Sequence, residues 1–231
     1  MKIHHAVALV TGANRGLGRA YAQALLQAGA KVYATARDPS TIDLPGAQPV
    51  RLDITQAGEA AALAADLKDV SLVINNAGIA LPGPYLSGQG VVDAARAQLE
   101  TNFFGTLAVS QAFAPVLKAN GGGALVNMLS VLSWITLPAI AGYSASKAAA
   151  WALTNGLRHE LRAQGTLVVG VHAAYIDTDM ACHVTGPKTT PAEVARQVLQ
   201  AIEQGQEEVL ADELSRQVKA GLVAGAYLRE A

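Results

Sequence analysis

The chain has 231 residues, a length that suits one large α/β domain, spanning 1–231, better than two small ones. Its formal net charge is −1 and charged residues make up 15% of it, so the charge gives no reason to expect a nucleic acid or an anionic membrane as partner. Cys182 is the single cysteine, which excludes an intrachain disulfide, and no apolar run reaches the length of a membrane span. We expect a cytoplasmic protein and assign no metal site.

The first predicted element is a buried strand followed by a glycine-rich turn and a helix. An apolar run covers 6–10, glycines follow at positions 12, 16 and 18, and helical periodicity then continues to about residue 28. Such a turn can present backbone N–H groups and the positive end of a helix to a pyrophosphate. The flanking strand and helix favour this interpretation over a glycine-rich surface turn.

Strands and helices alternate along the rest of the chain. Further strands are predicted at 31–36, 49–54, 71–76, 124–128, 166–173 and, at an edge of the sheet, 208–211. Helices are predicted at 55–68 with Thr55 as the N-cap, 91–119, 143–163 and 191–204. Nearly continuous apolar strands in this order predict a doubly wound, Rossmann-type parallel sheet with helices on both faces, in a single domain.

Polar motifs follow most of these strands at their carboxyl ends, where a doubly wound sheet binds its ligand. The residues in question are Thr11, Gly12, Arg37, Asp53, Asn75, Asn76, Ser130, Asp177 and Thr178. The sequence therefore predicts one ligand site across this edge of the sheet.

Tyr143 and Lys147 stand four residues apart at the start of a predicted helix, so they share one helix face. A free tyrosine, with a pKa of about 10, is a poor acid at neutral pH. A lysine ammonium about 4 Å away supplies about 4 kcal/mol at an effective dielectric constant near 20, enough to favour the phenolate by up to about three pKa units. The alternative is that Tyr143 is an ordinary half-buried aromatic side chain with its hydroxyl in water.

Together, these motifs resemble the short-chain dehydrogenase/reductase family of the single-domain type, over nearly the whole chain. The resemblance is carried by Thr11-Gly-Ala-Asn-Arg-Gly-Leu-Gly18, Asp53-Ile54, Asn75-Asn-Ala-Gly78, Asn102, Ser130, and Tyr143 with Lys147. Ser130 precedes Tyr143 by thirteen residues, the interval usual in the family.

The resemblance implies a catalytic tetrad. Tyr143 would protonate the substrate oxygen, Ser130 would hydrogen-bond that oxygen, and Lys147 would lower the pKa of Tyr143 and hold the nicotinamide ribose. Asn102 would hold a water that links Lys147 to solvent; the alternative is a polar residue that kinks the long helix. The implied cofactor-binding residues are Gly12, Asn14, Arg15, Gly16, Leu17, Gly18, Arg37, Asp53, Ile54, Asn76, Ala77, Gly78, Tyr143, Lys147, Ile176 and Thr178.

The end of the second strand predicts NADP(H) rather than NAD(H). A carboxylate there binds the ribose 2′-hydroxyl, whereas a nearby arginine accommodates a 2′-phosphate. Here Arg37 comes before any carboxylate, and Arg15 lies within the glycine turn. The alternative is that both arginines are solvated and that Arg37 pairs with Asp38.

Five other positions limit the interpretation of the site. Ala173-Ala174 replaces the Pro-Gly that often follows the sixth strand in the family. Ser133 could compete with Ser130 but lies only ten residues before Tyr143. We interpret His172 as a structural histidine, and Cys182 as pocket lining or surface rather than a nucleophile.

We expect a carbonyl reductase or alcohol dehydrogenase, or alternatively a nucleotide-sensing regulator of the same fold with little turnover. The predicted substrate is a small apolar carbonyl compound or alcohol, because the candidate pocket residues are largely apolar: Trp134, Ile135, Leu137, Tyr175, Met180 and Cys182. We also expect a homodimer or homotetramer, because two helices carry more apolar residues than one core-facing stripe needs, namely Phe103, Phe104, Val109, Phe113, Trp151 and Leu153.

Overall fold

The computed structural model describes residues 1–86 and 88–228, whose strands form one seven-stranded parallel sheet. The strands are β1 (Val7–Val10), β2 (Lys31–Ala36), β3 (Gln48–Arg51), β4 (Leu72–Asn75), β5 (Ala124–Met128), β6 (Leu167–His172) and β7 (Glu208–Leu210). Their order across the sheet is β3-β2-β1-β4-β5-β6-β7. This confirms the doubly wound fold, with a change of direction between β1 and β4 where a ligand crevice forms.

Helices cover both faces of the sheet because alternate strand residues point to opposite sides. The helices are α1 (Gly16–Gln27), α2 (Glu59–Asp66), α3 (Val91–Leu99), α4 (Thr106–Ala119), α5 (Ala141–Leu161), α6 (Pro191–Gln204) and α7 (Glu213–Gly221). One apolar core joins α1 and α6 to the sheet, and a second joins α2, α4 and α5 to its other face. Within the described part of the chain, none of the helices combines the length and apolar character that a bilayer crossing requires.

Two helices differ from the sequence prediction. Thr55 does not cap α2: its N–H and hydroxyl instead donate to the Asp53 carboxylate in a turn, and α2 begins at Glu59 after Gly58. Helix α7 was not predicted. Its N-cap residue is Asp212, whose side chain accepts a hydrogen bond from the Ser215 N–H.

The long helix predicted at 91–119 is continuous but changes its hydrogen-bonding pattern in the middle. Helix α3 passes into a π-helical segment, Glu100–Gly105, before α4 begins. A Cβ on Gly105 would lie only 2.7 Å from Ile54 Cδ1, so the glycine lets this segment pack against the chain beyond β3. Segments of this kind are frequent at functional sites, and this one contains Asn102.

Two apolar residues that we assigned to a subunit interface lie inside the subunit. Val109 and Phe113 are fully buried in the core beneath α4, so they cannot contact a second copy of the chain. Phe104, in contrast, is about half exposed. The additional apolar side chains on this helix therefore pack mainly in the core of the subunit itself.

A threonine hydroxyl joins the carboxyl ends of β1 and β4. Thr11 follows β1 directly, and its Oγ1 accepts hydrogen bonds from the backbone N–H groups of Asn76 (2.9 Å) and Ala77 (3.0 Å), just beyond β4. The same hydroxyl donates to the Ile74 carbonyl (3.4 Å). Thr11 is 1% exposed, so solvent cannot replace these bonds, and the hydroxyl sets the spacing of the two loops that border the crevice.

We predict that Thr11→Val lowers the free energy of unfolding by about 2–3 kcal/mol, because it removes the acceptor of two buried N–H groups. Thr35→Val is the matched control, since Thr35 is equally buried but, among the described residues, its side chain makes a single hydrogen bond, to the Val10 carbonyl. The free energy of unfolding of that variant should fall by about 1 kcal/mol. Urea unfolding of both variants measures the difference, and equal losses would contradict the argument.

Candidate active site

The glycine turn between β1 and α1 approaches the chain beyond β4 very closely. Gly12 and Gly16 have φ angles of +64° and +53°, the left-handed region that favours glycine. A Cβ on Gly18 would lie 2.1 Å from the Gly12 carbonyl oxygen and 2.5 Å from Asn76 Nδ2. That amide in turn donates to the Thr11 and Gly12 carbonyls. Helix α1 can therefore start in this position only because residue 18 has no side chain.

The start of α1 can accept an anion. Its N-cap residue, Arg15, provides no capping side chain, and its first turn contains no acidic residue. Backbone N–H groups and the helix dipole there favour negative charge. Leu17 is buried in the core, so only its backbone can face a ligand. Asn14, half-buried, and Gly16, exposed, complete the turn.

Arg15 reaches across the crevice to the segment after β6. Its guanidinium Nη1 lies 2.9 Å from Asp179 Oδ2, and both side chains are more than 70% exposed. An ion pair this exposed contributes little to stability. A Cβ on Gly16 would lie 3.3 Å from Thr178 Cγ2, so the glycine turn and the segment after β6 form opposite walls of one crevice.

Arg37 follows β2 and is exposed at the same edge of the sheet. The Asp38 carboxylate accepts hydrogen bonds from the Ser40 hydroxyl and N–H, and these bonds lower the pKa of Asp38. No ion pair joins Arg37 to Asp38 in residues 1–86 and 88–228. Burial raises the pKa of Asp53, but hydrogen bonds from Thr55 and the charge of Arg37 bring it below its ordinary value.

Asn102 joins the π-helical segment to the loop after β4 and to α5. Its Oδ1 accepts from the Ile79 N–H, and its Nδ2 donates to the Ile79 carbonyl and to Ser146 Oγ, all at 2.9 Å. Ser146 donates in turn to the Tyr143 carbonyl (2.7 Å). A Cβ on Gly78 would lie 3.0 Å from Asn102 Oδ1. The amide therefore holds three parts of the site in a fixed relation.

Lys147 extends from α5 into the buried interior of the site. It is 5% exposed, and its Nζ donates to the Met128 carbonyl (2.7 Å) at the end of β5. Burial lowers the pKa of Lys147 to about 8. Among the described residues, Met128 is the hydrogen-bond acceptor of this ammonium, which has three donors, so donors remain for the hydroxyl groups of a ligand.

Tyr143 lies one turn before Lys147 on α5 and is half-buried. Lys147 Nζ is 5.7 Å from the centre of the Tyr143 ring. Burial raises the pKa of Tyr143 to about 12, and a hydrogen bond with the Ser130 side chain partly offsets that rise. We expected Lys147 to lower this pKa; in the present geometry it does not, because the ammonium is directed at the Met128 carbonyl.

Ser130 is the N-cap residue of a short 3₁₀ turn, Val131–Ser133. Its Oγ accepts from the Leu132 N–H (3.1 Å), while Ser133 Oγ accepts from the Ser130 N–H (3.2 Å), which completes a reciprocal capping box. Ser133 is thus engaged in the turn, while the Ser130 hydroxyl lies 3.5 Å from the Ala173 carbonyl and lowers the pKa of Tyr143.

The turn after β6, where the family's Pro-Gly is replaced, is tied to α7. The Asp212 carboxylate accepts hydrogen bonds from the N–H groups of Ala174 and Ser215, both at 2.7 Å. Ile176 and Thr178 follow this turn, and a parallel bridge pairs Ile176 with Thr189. Cys182 is exposed in the segment beyond.

Three residues contribute to this site without having been singled out from the sequence: Ser146, Asp179 and Asp212. Ser146 carries no signal of its own, because serines are common on helices. The Asp-Glu pair at 212–213 is a helix-start signal that could have revealed both α7 and the role of Asp212. Within residues 1–86 and 88–228, no group of three or more His, Cys, Asp or Glu side chains is placed to hold a metal ion.

The residues present fit a nicotinamide adenine dinucleotide. The start of α1 offers N–H donors to a pyrophosphate. The end of β2 offers Arg37, suited to a 2′-phosphate. The buried ammonium of Lys147 has donors for ribose hydroxyls, beside the tyrosine and serine that would face a reacting oxygen.

Comparison with known proteins agrees with this geometry. A short chain dehydrogenase family profile matches residues 6–188. Among solved structures, a short chain dehydrogenase from Burkholderia cenocepacia J2315 in complex with NADP is 43% identical, with a TM-score of 0.93, and the match covers 97% of this chain and 95% of that one.

Two curated relatives have named activities. D-erythrulose reductase from Gallus gallus is 37% identical, over 75% of this chain and 72% of its own length. Carbonyl reductase [NADPH] 2 from Sus scrofa is 32% identical, over 77% of this chain and 75% of its own length.

We predict that the stability of the protein rises by about 2 kcal/mol between pH 7 and pH 9.5 because of Lys147. In the folded chain its pKa is about 8, whereas an unfolded lysine titrates near pH 10.4. Between these values the unfolded chain binds the extra proton, so the free energy of unfolding increases with pH. Urea unfolding should show this rise, and Lys147→Met should abolish it while the exposed Lys118→Met keeps it. A rise that persists in Lys147→Met would refute the assignment.

Proposed function

Since the chain belongs to the short-chain dehydrogenase family of oxidoreductases, we propose that it is an NADP(H)-dependent enzyme that interconverts a small carbonyl compound and the corresponding alcohol. The observation that carries this proposal is the convergence of Ser130, Tyr143 and Lys147. Ser130 follows β5, Lys147 bonds the Met128 carbonyl at the end of β5, and the Ser130 side chain faces Tyr143, with Asn102 anchoring the adjacent loop.

In this proposal a bound nicotinamide supplies the hydride for reduction of the carbonyl carbon. Tyr143 donates its phenolic proton to the carbonyl oxygen, which leaves a phenolate and yields the alcohol. Ser130 donates a hydrogen bond to the same oxygen and stabilises the charge that develops on it. Lys147 binds ribose hydroxyls, and once its ammonium turns from the Met128 carbonyl toward the phenol, its positive charge stabilises the phenolate left on Tyr143. Asn102 keeps the loop after β4 fixed to α5.

The proposed preference for NADP(H) rests on two arginines. Arg37 is exposed at the end of β2 and, within the described part of the chain, is not paired with Asp38, while the carboxylate that pairs with Arg15 there is exposed. Two guanidinium groups there can contact one phosphate through charge-assisted hydrogen bonds. The relative solved with NADP and the relative named for NADPH support this choice.

The proposed substrate is a small apolar carbonyl compound or alcohol. Tyr175, Met180 and Cys182 are exposed on the segment after β6, and Ile135 and Leu137 are half-buried in the segment after β5. A phosphorylated or polycarboxylate substrate would need a cationic clamp. The one lysine of this segment, Lys188, is paired with Asp177 (3.0 Å), which supports an uncharged substrate.

We further propose that the protein forms a homodimer or homotetramer. Val92 on α3 and Phe104 in the π-helical segment are 62% and 51% exposed. Exposed apolar side chains on one long helix suit an isologous contact between two copies.

We predict that Tyr143→Phe lowers kcat by a factor of about 10²–10⁴, the usual contribution of a general acid. The affinity for NADPH should stay nearly unchanged, because the phenolic hydroxyl serves proton transfer. The assay follows the loss of NADPH absorbance with hexanal, acetophenone, benzaldehyde and 2,3-butanedione, and NADPH binding is measured by fluorescence titration. More than about a tenth of the wild-type turnover in Tyr143→Phe would rule out the assigned acid, and wild-type NADPH binding with no reduction of any carbonyl compound would favour a regulatory protein.

We predict that Arg37→Ala reduces the ratio of kcat/KM for NADPH to that for NADH at least about tenfold, as the loss of a charged hydrogen bond worth about 1.5–3 kcal/mol implies. Arg162→Ala is the matched control, because Arg162 is an exposed arginine at the opposite, amino-terminal end of β6. Equal use of NADH and NADPH by the wild type, or an unchanged ratio in Arg37→Ala, would contradict the proposed cofactor preference.

A further inference from the structure

His172 is the last residue of β6 and has no exposed surface. The rest of that strand is apolar, so an imidazole here has to find its hydrogen bonds within the protein. Its Nδ1 lies 3.0 Å from the carbonyl oxygen of Ser130. Because a carbonyl can only accept, Nδ1 carries the hydrogen and donates it.

The imidazole is neutral, which fixes its tautomer. Burial lowers the pKa of His172 to about 4, the bond to Ser130 opposes this, and the positive charges of Lys219, Arg158 and Lys147 lower it further. The facing carboxylate is that of Glu208, with Oε1 3.9 Å from Nε2. Nε2 therefore carries a lone pair, while Nδ1–H remains bonded to the Ser130 carbonyl.

The flat face of the same ring supports the other end of the turn that begins at Ser130. The Trp134 ring stacks on His172, with ring centres 3.8 Å apart and planes 18° from parallel. Trp134 is the C-cap of the 3₁₀ turn Val131–Ser133. His172 thus contacts this turn at both of its ends.

We propose that His172 is a positioning residue for the reaction: by holding the Ser130 carbonyl and the Trp134 ring, it sets the Ser130 hydroxyl against Tyr143. This inference rests on the proposed function. The Ser130 N–H is held independently by Ser133, and the Val131 N–H by the Ala173 carbonyl. Loss of the imidazole should therefore leave the turn formed but less well ordered, and displacements of about an ångström are enough to slow catalysis strongly.

Three substitutions separate this role from simple packing. His172→Asn keeps an amide donor near the position of Nδ1. His172→Gln places its amide nearer the position of Nε2, and His172→Leu fills similar space without a donor. We expect Leu and Gln to lower kcat at least tenfold, Asn to stay within about threefold of the wild type, and NADPH affinity to change less than twofold in all three. The substrate is the most rapidly reduced of hexanal, acetophenone, benzaldehyde and 2,3-butanedione.

A double-mutant cycle gives a second readout. Adding His172→Gln to a Ser130→Ala variant should lower kcat by less than twofold further, because the residue acts through Ser130.

The outcomes distinguish this inference from the proposed function. Wild-type kcat in His172→Leu or His172→Gln would overturn the positioning role, and so would equal loss of kcat in the Asn and Gln variants, as packing alone predicts. If His172→Leu does not fold, the comparison of the Asn variant with the Gln variant still tests whether His172 is a positioning residue. Tyr143→Phe serves as the reference: if that variant keeps its turnover, the proposed function itself fails, whatever the His172 variants show.

Discussion

The close approach of three chain segments at Gly12, Gly18 and Asn76 is the constraint on which the site depends. Residue 18 lies where any side chain would overlap the Gly12 carbonyl, and the Asn76 side chain donates across the same gap. This packing brings the positive end of α1 to the point where the strand order reverses, between β1 and β4. An anion-binding helix end and the loop after β4 thereby share one crevice, and the remaining residues of the site are arranged around it.

Much of this arrangement could be predicted from the sequence, because it depends on strand order and on glycine. Each of four residues follows the carboxyl end of a parallel strand: Arg37, Asn76, Ser130 and Thr178. They therefore lie at the same edge of the sheet, however their side chains pack. Properties that depend on packing across the chain could not be predicted. Nothing in the spacing of the long helix predicted a π-helical segment at Asn102, nor that Thr55 would bond Asp53 rather than cap α2. The subunit-interface argument failed at Val109 and Phe113 for the same reason, since helical periodicity cannot tell a wide core-facing stripe from two separate faces.

The electrostatic argument about Tyr143 and Lys147 shows a second limit of reasoning from spacing. Four residues along a helix bring the two side chains to the same face, and Coulomb's law then favours the phenolate. Burial acts on both groups in the opposite sense: it raises the pKa of the phenol and lowers that of the ammonium, because each loses solvation of its charged form. In the structure burial outweighs attraction, since the ammonium donates to the Met128 carbonyl 2.7 Å away and the ring centre is 5.7 Å distant. For Tyr143 to act as an acid near neutral pH, the ammonium has to approach the phenol more closely than it does here.

The unpredicted helix α7 explains how a chain without the family's Pro-Gly turn keeps the end of β6 in place. A proline would restrict this turn through its own backbone. Ala173-Ala174 does not restrict the backbone in this way, so the turn is held by hydrogen bonds from another part of the chain. The Asp212 carboxylate at the start of α7 binds the Ala174 N–H and the helix's own Ser215 N–H, so one side chain caps the helix and fixes the turn. Further along α7, Lys219 pairs with Glu208, whose carboxylate faces His172. The C-terminal helix therefore supports both sides of the segment that carries His172, and the position of Ser130 depends on residues that follow it by some forty to ninety positions in the sequence.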